Sequence, residues 1–336
     1  MNVQFLDCTL RDGAHVNSGS FGKNHIENIV RGLTKASVDI VEIGFLKNVK
    51  YSSDVSSFPC IEDAYGVIAG MPVNPNVRYA VMARADTYDI NKLTPCNGKI
   101  GLIRVAFYYD YLDKAIEFAK KVKAKGYDIT LNLINTPGST LPELDKLIKY
   151  ANEIGPYAVM IVDTFGVLDI EQLTIIAKNY SEKLDQKIRV GLHTHENMAL
   201  AFSLVKDFIR TVGSKRDIVV DASLMGMGRA PGNLCTELIC DYLNRNKGKN
   251  YDISEILDVI EKDIIPIRKT YKWGYSPEYF LSAKYRVHRS YAEYLSDKNV
   301  DLRSIDRILS MIDPEHASTF DKEYLSNLMN NENCGN

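Results

Sequence analysis

Residues 188–197 of the chain read IRVGLHTHEN, a short apolar run that leads into two histidines. The run is rich in β-branched residues and is short enough to be a buried strand. The next stretch, residues 198–212, has apolar residues at the spacing of an amphipathic helix. This segment therefore predicts one strand–helix unit, with polar side chains where the strand ends.

The same alternation extends over about 245 residues of the chain. Eight runs are predicted to be strands: Val3–Cys8, Ile40–Gly44, Val77–Met82, Ile100–Phe107, Ile129–Ile134, Ala158–Val162, Ile188–His193 and Ile218–Ala222. Six stretches are predicted to be helices: Lys23–Lys35, Tyr111–Lys125, Thr140–Glu153, Ile170–Leu184, Met198–Val212 and Leu234–Asn246. Alternating strands and helices imply parallel pairing with right-handed crossovers. Eight such units predict an α/β fold of the (β/α)8 TIM-barrel type. A doubly wound open sheet is the alternative, and the stretch 87–99 shows no clean helix.

The character of the sequence changes after residue 246. Residues 247–250 are polar, and the segment that follows has helical patterns without strand signals. We therefore predict a TIM-barrel catalytic domain over residues 1–246 and a helical C-terminal region over residues 247–336. This region is expected to pack on the barrel as a helical cap, or else to dock a partner subunit.

The composition is that of a globular enzyme. Of the 336 residues, 45% are hydrophobic and 25% are charged, which excludes a disordered chain. The formal net charge of −2 provides no general attraction to nucleic acid or anionic membranes. No apolar run approaches the ~20 residues that span a bilayer, and residues 1–6 do not resemble a signal peptide. Six cysteines without a C-x-x-C pair indicate reduced thiols, so we expect a cytoplasmic protein.

The two histidines at the end of the seventh predicted strand form the most informative pair. His193 and His195 are two residues apart, so an extended chain turns both imidazoles to the same face. Catalytic groups of a parallel barrel lie at the carboxyl ends of its strands. A divalent cation is the usual reason for two imidazoles to share one point there. The alternative is one core histidine and one surface histidine.

Asp12, after the first predicted strand, can supply a carboxylate to the same cation. Two histidines and one carboxylate leave coordination positions open for substrate and water. This mixed nitrogen and oxygen set suits Mn²⁺ or Mg²⁺, and the ligand types do not exclude Zn²⁺, Co²⁺ or iron. Asn233 could add a carbonyl oxygen as a fourth ligand, or could cap the helix predicted to begin near Leu234.

Three further positions near these residues are candidates for chemistry. Arg11 could stabilise an enolate as its charge develops, or could form a salt bridge at the barrel rim with Glu42 or Asp7. His15 is a candidate general base, or an ordinary loop histidine. The glycine-rich loop around Gly228 has one residue too many for a dinucleotide fingerprint, but such a loop can hold a substrate carboxylate through its backbone N–H groups.

Three motifs together resemble those of a known family, the DRE-TIM metallolyases. They are D-x-T-L-R-D-G at residues 7–13, H-T-H-E-N at residues 193–197 and G-M-G-R-A-P-G-N at residues 226–233. The family includes 4-hydroxy-2-oxovalerate aldolase, hydroxymethylglutaryl-CoA lyase, isopropylmalate synthase and homocitrate synthase. The resemblance covers residues 3–245. It implies that Asp12, His193 and His195 bind a divalent metal and that Arg11 steadies an enolate.

His15 discriminates between members of this family. Members that handle acyl-CoA usually carry glutamine after R-D-G-x, whereas the 4-hydroxy-2-oxoacid aldolases carry a histidine that serves as their base. The resemblance therefore implies an aldolase that cleaves or forms 4-hydroxy-2-oxoacids through a metal-bound pyruvate enolate. The alternatives are a Claisen-condensing transferase of acyl-CoA and a 2-oxoacid, an enzyme similar to hydroxymethylglutaryl-CoA lyase, and a barrel kept as a scaffold without activity.

The resemblance also implies substrate contacts and partners. Thr164 lies in a D-T-F-G run similar to that of the lyases and synthases and could hydrogen-bond a substrate carboxylate. Tyr279 matches a substrate-site tyrosine in the C-terminal segment of the aldolases. The expected ligands are a small 2-oxoacid and an aldehyde. The resemblance leaves open a homo-oligomer or an acylating dehydrogenase partner bound through the C-terminal helices. Arg229 departs from the family pattern, since small residues are common at its position.

Overall fold

Eight parallel strands close into a barrel in the computed structural model, which describes residues 2–229 and 231–333. The strands are β1 (Val3–Asp7), β2 (Ile40–Leu46), β3 (Arg78–Arg84), β4 (Leu102–Phe107), β5 (Asp128–Leu133), β6 (Ala158–Val162), β7 (Arg189–His193) and β8 (Ile218–Ala222). Closure depends on β1, which pairs with β8 from Val3 opposite Ile218 to Asp7 opposite Ala222. β1 also pairs with β2. The predicted (β/α)8 barrel is therefore confirmed, and the open sheet is excluded.

Helices cover the barrel between successive strands, with one gap. The helices that accompany the strands are α1 (Thr9–Asp12), α2 (Ala14–Asn17), α3 (Lys23–Lys35), α4 (Ile61–Ile68), α5 (Leu112–Ala124), α6 (Leu141–Ile154), α7 (Ile170–Lys183), α8 (Ala201–Thr211) and α9 (Thr236–Lys247). Between β3 and β4, where every residue is described, the chain forms only a 3-10 turn at Ile90–Lys92. The stretch 87–99, for which the sequence shows no clean helix, thus contains no α-helix in the structure. A two-residue strand, Ser57–Phe58, pairs with the end of β2.

Local sequence signals explain where several of these helices begin and end. α6 begins with a capping box in which Thr140 and Glu143 satisfy each other's backbone N–H groups. Asp169 caps α7 by accepting a hydrogen bond from the backbone of Gln172. α6 ends at Gly155, whose φ of 63° is accessible to glycine without steric cost. These signals fix where the helices begin and end, and therefore how many residues remain in the loops that lead to the next strands.

The C-terminal region is helical, as predicted, and it packs in two different ways. Its helices are α10 (Ile253–Val259), α11 (Ile265–Thr270), α12 (Pro277–Lys284), α13 (Ser290–Asp297), α14 (Leu302–Ser310), α15 (Pro314–Ala317) and α16 (Lys322–Asn333), with a π-helical segment at Ile260–Ile264. Buried residues from Tyr251 to Trp273 belong to the apolar core of the barrel. Buried residues from Leu281 to Leu325 form a separate core. The domain division at residues 246 and 247 stays a prediction, because the first part of the region shares the barrel core.

The segment after α11 lies against the carboxyl end of the barrel. The indole Nε1 of Trp273 donates to the carbonyl oxygen of Met225 at 2.9 Å. The side-chain amide of Asn197 donates to the carbonyl oxygen of Tyr279 at 3.0 Å. Met225 follows β8 and Asn197 follows β7, so both contacts are made where the parallel strands end. The C-terminal region therefore contributes to the surroundings of any site at this end of the barrel.

Two expectations from composition concern cysteines and membranes. The cysteines with described positions are free thiols: Cys8, Cys60, Cys96, Cys235 and Cys240. Cys334 lies outside the described residues. Among the helices of residues 2–229 and 231–333, none combines the length and the apolar character needed to cross a bilayer.

The packing of α10 on α3 generates a test of the fold. A Cβ on Gly32 in α3 would lie 2.0 Å from Cγ2 of Val259 in α10. We expect Gly32→Ala to lower the free energy of unfolding by about 1–3 kcal/mol because the two helices must separate. Gly66→Ala in α4 is the matched control, because nothing lies within 4 Å of its added Cβ. The control should stabilise the protein by about 0.5–1 kcal/mol in urea unfolding. Equal effects of the two changes would contradict this packing.

Candidate metal centre

Asp12, His193 and His195 meet at the carboxyl end of the barrel. Asp12 ends α1, directly after β1, and His193 is the last residue of β7. One ligand atom from each side chain can be chosen so that all three lie within 4.8 Å of one another. All three residues are buried. The structure thus brings the Asp12 carboxylate to two imidazoles that lie about 180 residues further along the sequence.

The hydrogen bonds of the two imidazoles leave the correct nitrogens free for a metal ion. Nδ1 of His195 lies 2.8 Å from the carbonyl oxygen of Asp163, and Nδ1 of His193 lies 3.0 Å from Oδ2 of Asp221. These oxygens can only accept, so each Nδ1 carries the proton and each Nε2 keeps its lone pair. Nε2 of His195 is buried, has no hydrogen-bond partner among the described residues and lies 3.6 Å from Oδ2 of Asp12. This donor set fits a divalent cation.

The protonation states also suit metal binding. Burial lowers the pKa of His193, so its ring is neutral near pH 7. Burial opposes ionisation of Asp12, but the positive charge of Arg11 outweighs it and holds the pKa of this carboxyl well below its usual range. A carboxylate and two neutral imidazoles are the forms that ligate a metal.

Arg11 connects this cluster to buried charges inside the barrel. Its guanidinium contacts the Asp12 carboxylate, and its Nε lies 2.9 Å from Oε2 of Glu42. The same Glu42 oxygen accepts from Nη1 of Arg104 at 2.8 Å, and Nη2 of Arg104 lies 2.5 Å from Oδ2 of Asp221. The salt bridge to Glu42 that the sequence left as an alternative for Arg11 is therefore present, and it holds the guanidinium beside the cluster.

One pocket of about 650 Å³ opens from the cluster. Its lining residues are Arg11, Asp12, His15, Phe45, Met82, Arg84, Ala106, Tyr108, Asn132, Ile134, Val162, Thr164, His193, His195 and Arg229. The pocket lining therefore combines charged side chains with several apolar ones.

The His15 ring is open to this pocket and packs edge-on against Phe45, with ring centroids 5.9 Å apart. Burial by the surrounding protein lowers the pKa of His15, and the positive charges of Arg229 and Arg11 act in the same direction against the raising effect of the Asp12 carboxylate. The imidazole is neutral near pH 7 and can accept a proton.

Three other predicted residues lie near the cluster in different roles. Thr164 lines the pocket, and its Oγ1 accepts from the backbone N–H of Asn135 at 2.8 Å. Nδ2 of Asn233 donates to Oδ2 of Asp12 at 2.8 Å, and the Oδ1 of Asn233 has no partner in the described chain. A Cβ on Gly228 would lie 2.5 Å from Oδ2 of Asp12, so only glycine lets the backbone pass so close to this carboxylate.

The structure does not bring Tyr279 to the pocket. Its hydroxyl donates to Oε1 of Glu293 at 3.1 Å, and its side chain borders a different cavity, beside Trp273. The match to a substrate-site tyrosine therefore fails on position, because α12 and α13 pack so that this phenol faces Glu293.

Sequence reasoning did not select Arg104 and Asp221, although a signal was present. Each is a charged residue inside an otherwise apolar strand, Arg104 in β4 and Asp221 in β8. Both are buried in the barrel. A buried charge requires a partner, so two opposite charges inside apolar strands of one barrel could have been expected to pair.

The fold and the site define a (β/α)8-barrel enzyme with a candidate metal centre at its carboxyl end. A family model described as HMGL-like matches residues 2–262, and the chain belongs to this family. The resemblance to the DRE-TIM metallolyases is thereby confirmed, since the named relatives and structural neighbours include lyases and aldolases of this type.

Two relatives illustrate the sequence similarity. The chain is 25% identical over 283 residues to an oxaloacetate decarboxylase of Mycobacterium tuberculosis, which covers 81% of this chain and 79% of the relative. It is 24% identical over 267 residues to 4-hydroxy-2-oxovalerate aldolase 2 of Burkholderia lata, which covers 78% of this chain and 76% of the relative.

Solved structures share the fold. The N-terminal domain of a candidate aldolase from Bacteroides vulgatus has a TM-score of 0.73 and 24% identity, covering 90% of this chain and 99% of that one. Hydroxymethylglutaryl-CoA lyase from Pseudomonas aeruginosa has a TM-score of 0.62 and 16% identity, covering 79% and 92%. Likeness at these identities concerns the fold alone.

The hydrogen bonds around the cluster predict how metal affinity responds to mutation. Asp12→Ala should abolish Mn²⁺ binding to the chelator-treated protein, because a ligand is lost. Asp221→Asn should lower the affinity about tenfold, because the carboxylate that polarises His193 becomes neutral. Asp258→Asn is the control, since this side chain is exposed and forms an ion pair with Lys262. Calorimetric titration with Mn²⁺ measures all three. Unchanged affinity in Asp12→Ala would refute the site.

Proposed function

We propose that the protein is a divalent-metal-dependent aldolase that cleaves or forms 4-hydroxy-2-oxoacids, with pyruvate as the 2-oxoacid fragment. The observation that carries this proposal is that the Asp12, His193 and His195 cluster, Arg11 and His15 border a single pocket. The similarity to proteins named 4-hydroxy-2-oxovalerate aldolase supports it.

Asp12, His193 and His195 would hold the metal ion. A bound Mn²⁺ or Mg²⁺ would supply Lewis acidity toward the 2-oxo group of the substrate. The same donor atoms also accept Zn²⁺ or Co²⁺. Asn233 is proposed as a further ligand through its unpartnered Oδ1, or as a support that holds Asp12 through the hydrogen bond from Nδ2.

His15 accepts the proton in the proposed cleavage. Its neutral ring removes the proton of the C4 hydroxyl, and the C3–C4 bond then breaks. The aldehyde leaves, and the bonding electron pair becomes the enolate of pyruvate. Protonation of this enolate at C3 gives pyruvate, and the reverse sequence forms the carbon–carbon bond.

Arg11 and Thr164 position and stabilise the 2-oxoacid part of the substrate. Glu42 holds the guanidinium of Arg11 at the pocket wall, where it stabilises the negative charge that develops on the enolate oxygen. Oγ1 of Thr164 accepts from the backbone of Asn135, so its hydroxyl proton is available to a substrate carboxylate. Gly228 contributes by admitting the backbone next to Asp12. Tyr279 has no part in this proposal.

A panel of substrates tests the proposal against the acyl-CoA alternatives. The Mn²⁺-loaded protein should release pyruvate and an aldehyde from 4-hydroxy-2-oxopentanoate or a longer 4-hydroxy-2-oxoacid. It should release no free CoA from acetyl-CoA with pyruvate or with 2-oxoglutarate, and no acetoacetate from hydroxymethylglutaryl-CoA, whose C–C cleavage would keep the thioester in acetyl-CoA. Enzymatic assays of pyruvate and acetoacetate and a thiol assay of CoA measure these outcomes. Release of CoA without pyruvate formation would replace the aldolase proposal with an acyl-CoA transferase, and release of acetoacetate would replace it with a lyase of hydroxymethylglutaryl-CoA.

Decarboxylation of oxaloacetate is a second candidate, favoured by the relative that carries this name. It produces the same enolate, with carbon dioxide as the leaving fragment, and requires no base for a hydroxyl proton.

His15→Ala separates the two activities. We expect aldol cleavage to fall about 10²-fold or more, because the proton acceptor is lost. Mn²⁺ binding and any oxaloacetate decarboxylation should change only a few-fold. His316→Ala, in the outer part of the C-terminal region, is the control and should leave both activities unchanged. Normal aldol cleavage in His15→Ala would exclude this histidine as the base.

The predicted homo-oligomer and the acylating dehydrogenase partner stay predictions. A partner of that kind would consume the aldehyde released at this pocket, and the outer surface of the C-terminal helices is the surface the sequence suggested for it.

A further inference from the structure

Arg229 differs from the other arginines that line the pocket. Arg11 is paired with Glu42, and Arg84 is paired with Asp86 through Nε at 2.9 Å and a second contact from Nη2. Arg229 makes no ion pair with a carboxylate of the described chain. Its Nε is buried and lacks a hydrogen-bond partner among the described residues. Within the part of the chain that the structure describes, this guanidinium therefore lines the pocket without a counter-ion.

His288 orients this guanidinium without neutralising it. Nη2 of Arg229 lies 2.6 Å from Nε2 of His288. A guanidinium can only donate, so Nε2 must accept and the imidazole is uncharged. Burial and the positive charges of Arg229 and Arg289 lower the pKa of His288 to about 4, in agreement with a neutral ring. The carboxylate of Glu293 is engaged by Arg289, with Nη1 and Oε1 2.5 Å apart.

The position of Arg229 relates its charge to the candidate metal centre. The backbone N–H of Arg229 donates to Oδ2 of Asp12 at 3.0 Å, whereas its guanidinium reaches His288 in the C-terminal region. His288 in turn packs edge-on against Phe165, with ring centroids 6.2 Å apart. Asp12 and Arg229 thus line the same pocket, and the guanidinium of Arg229 is held by a residue of the C-terminal region.

We propose that Arg229, oriented by His288, binds a second anionic group of the substrate, a carboxylate or a phosphate, at the end remote from the 2-oxoacid group. A partly buried cation without a counter-ion is unfavourable, and an anionic ligand relieves that cost. The planar guanidinium offers parallel donors that match the oxygens of either group. This inference rests on the proposed function and specifies its substrate class, in which the aldehyde fragment carries a negative charge.

Binding of substrate analogues tests the site without turnover. The probes are two pairs of 2-oxoacids that lack the C4 hydroxyl and so cannot undergo aldol cleavage: 2-oxoglutarate with 2-oxopentanoate, and 2-oxoadipate with 2-oxohexanoate. Within each pair only the terminal carboxylate differs. For the Mn²⁺-loaded protein, calorimetry should give at least about tenfold tighter binding of the anionic member in one or both pairs.

Variants assign this preference to a residue. Arg229→Gln should abolish the preference while binding of the neutral probes stays within a few-fold, and Arg229→Lys should restore part of it. Arg84→Gln is the matched control, because Arg84 lines the same pocket but is already paired with Asp86. It should retain the preference. Mn²⁺ affinity and urea unfolding of each variant verify that the cluster and the fold are intact.

Three results would overturn the inference. The first is equal binding of anionic and neutral members in both pairs. The second is an equal loss of affinity for all four probes in Arg229→Gln, which would assign Arg229 to the carboxylate next to the 2-oxo group. The third is loss of the preference in Arg84→Gln but not in Arg229→Gln.

Condensation reactions distinguish the two anions and separate this inference from the proposed function. With pyruvate, kcat/KM should be higher for succinic semialdehyde than for butanal if the site takes a carboxylate. It should be higher for glycolaldehyde phosphate than for glycolaldehyde if the site takes a phosphate. An anion preference in binding together with no condensation or cleavage of any substrate would refute the aldolase and leave the Arg229 site intact.

Discussion

A single carboxylate oxygen, Oε2 of Glu42, accepts hydrogen bonds from two buried arginines. Nε of Arg11 lies 2.9 Å away and Nη1 of Arg104 lies 2.8 Å away. Removing three charged groups from water is costly, and the cost is offset only when their geometry and hydrogen bonds are complete. Loss of any member would leave an uncompensated charge in the barrel. This requirement holds the surrounding strands and side chains in one arrangement.

The candidate metal centre depends on both of these arginines. On one side Arg11 reaches the Asp12 carboxylate and keeps it ionised. On the other side Arg104 binds Asp221, which accepts from Nδ1 of His193 and so turns Nε2 toward the cluster. Asp12 and His193 are therefore oriented by a layer of charges below them in the barrel, whereas His195 is oriented by the carbonyl oxygen of Asp163.

The C-terminal region contributes to the pocket by contacting one of the arginines that line it. The barrel strands and their first loops supply the metal-binding cluster, Arg11 and His15. His288, which lies more than 50 residues beyond β8, contacts the guanidinium of Arg229 on the pocket wall. The residues proposed for metal binding, catalysis and anion recognition thus all lie in the barrel, whereas the residue that orients Arg229 lies in the C-terminal region. A barrel family can vary such an appended region without disturbing the metal-binding residues.

The pairing of β1 with β8 decided that the sheet closes into a barrel. The sequence by itself determined the alternation of eight strands with helices and predicted the membership of the Asp12, His193 and His195 cluster. Those features follow from local periodicity and from the rule that the carboxyl ends of parallel strands meet at one end of a barrel. Only the tertiary structure decided which charges pair, that Tyr279 faces Glu293 and that His288 faces Arg229. The physical reason is that these contacts depend on strand register across the closed barrel and on how the C-terminal helices pack. Neither the register nor the packing is encoded in the spacing of residues along one segment.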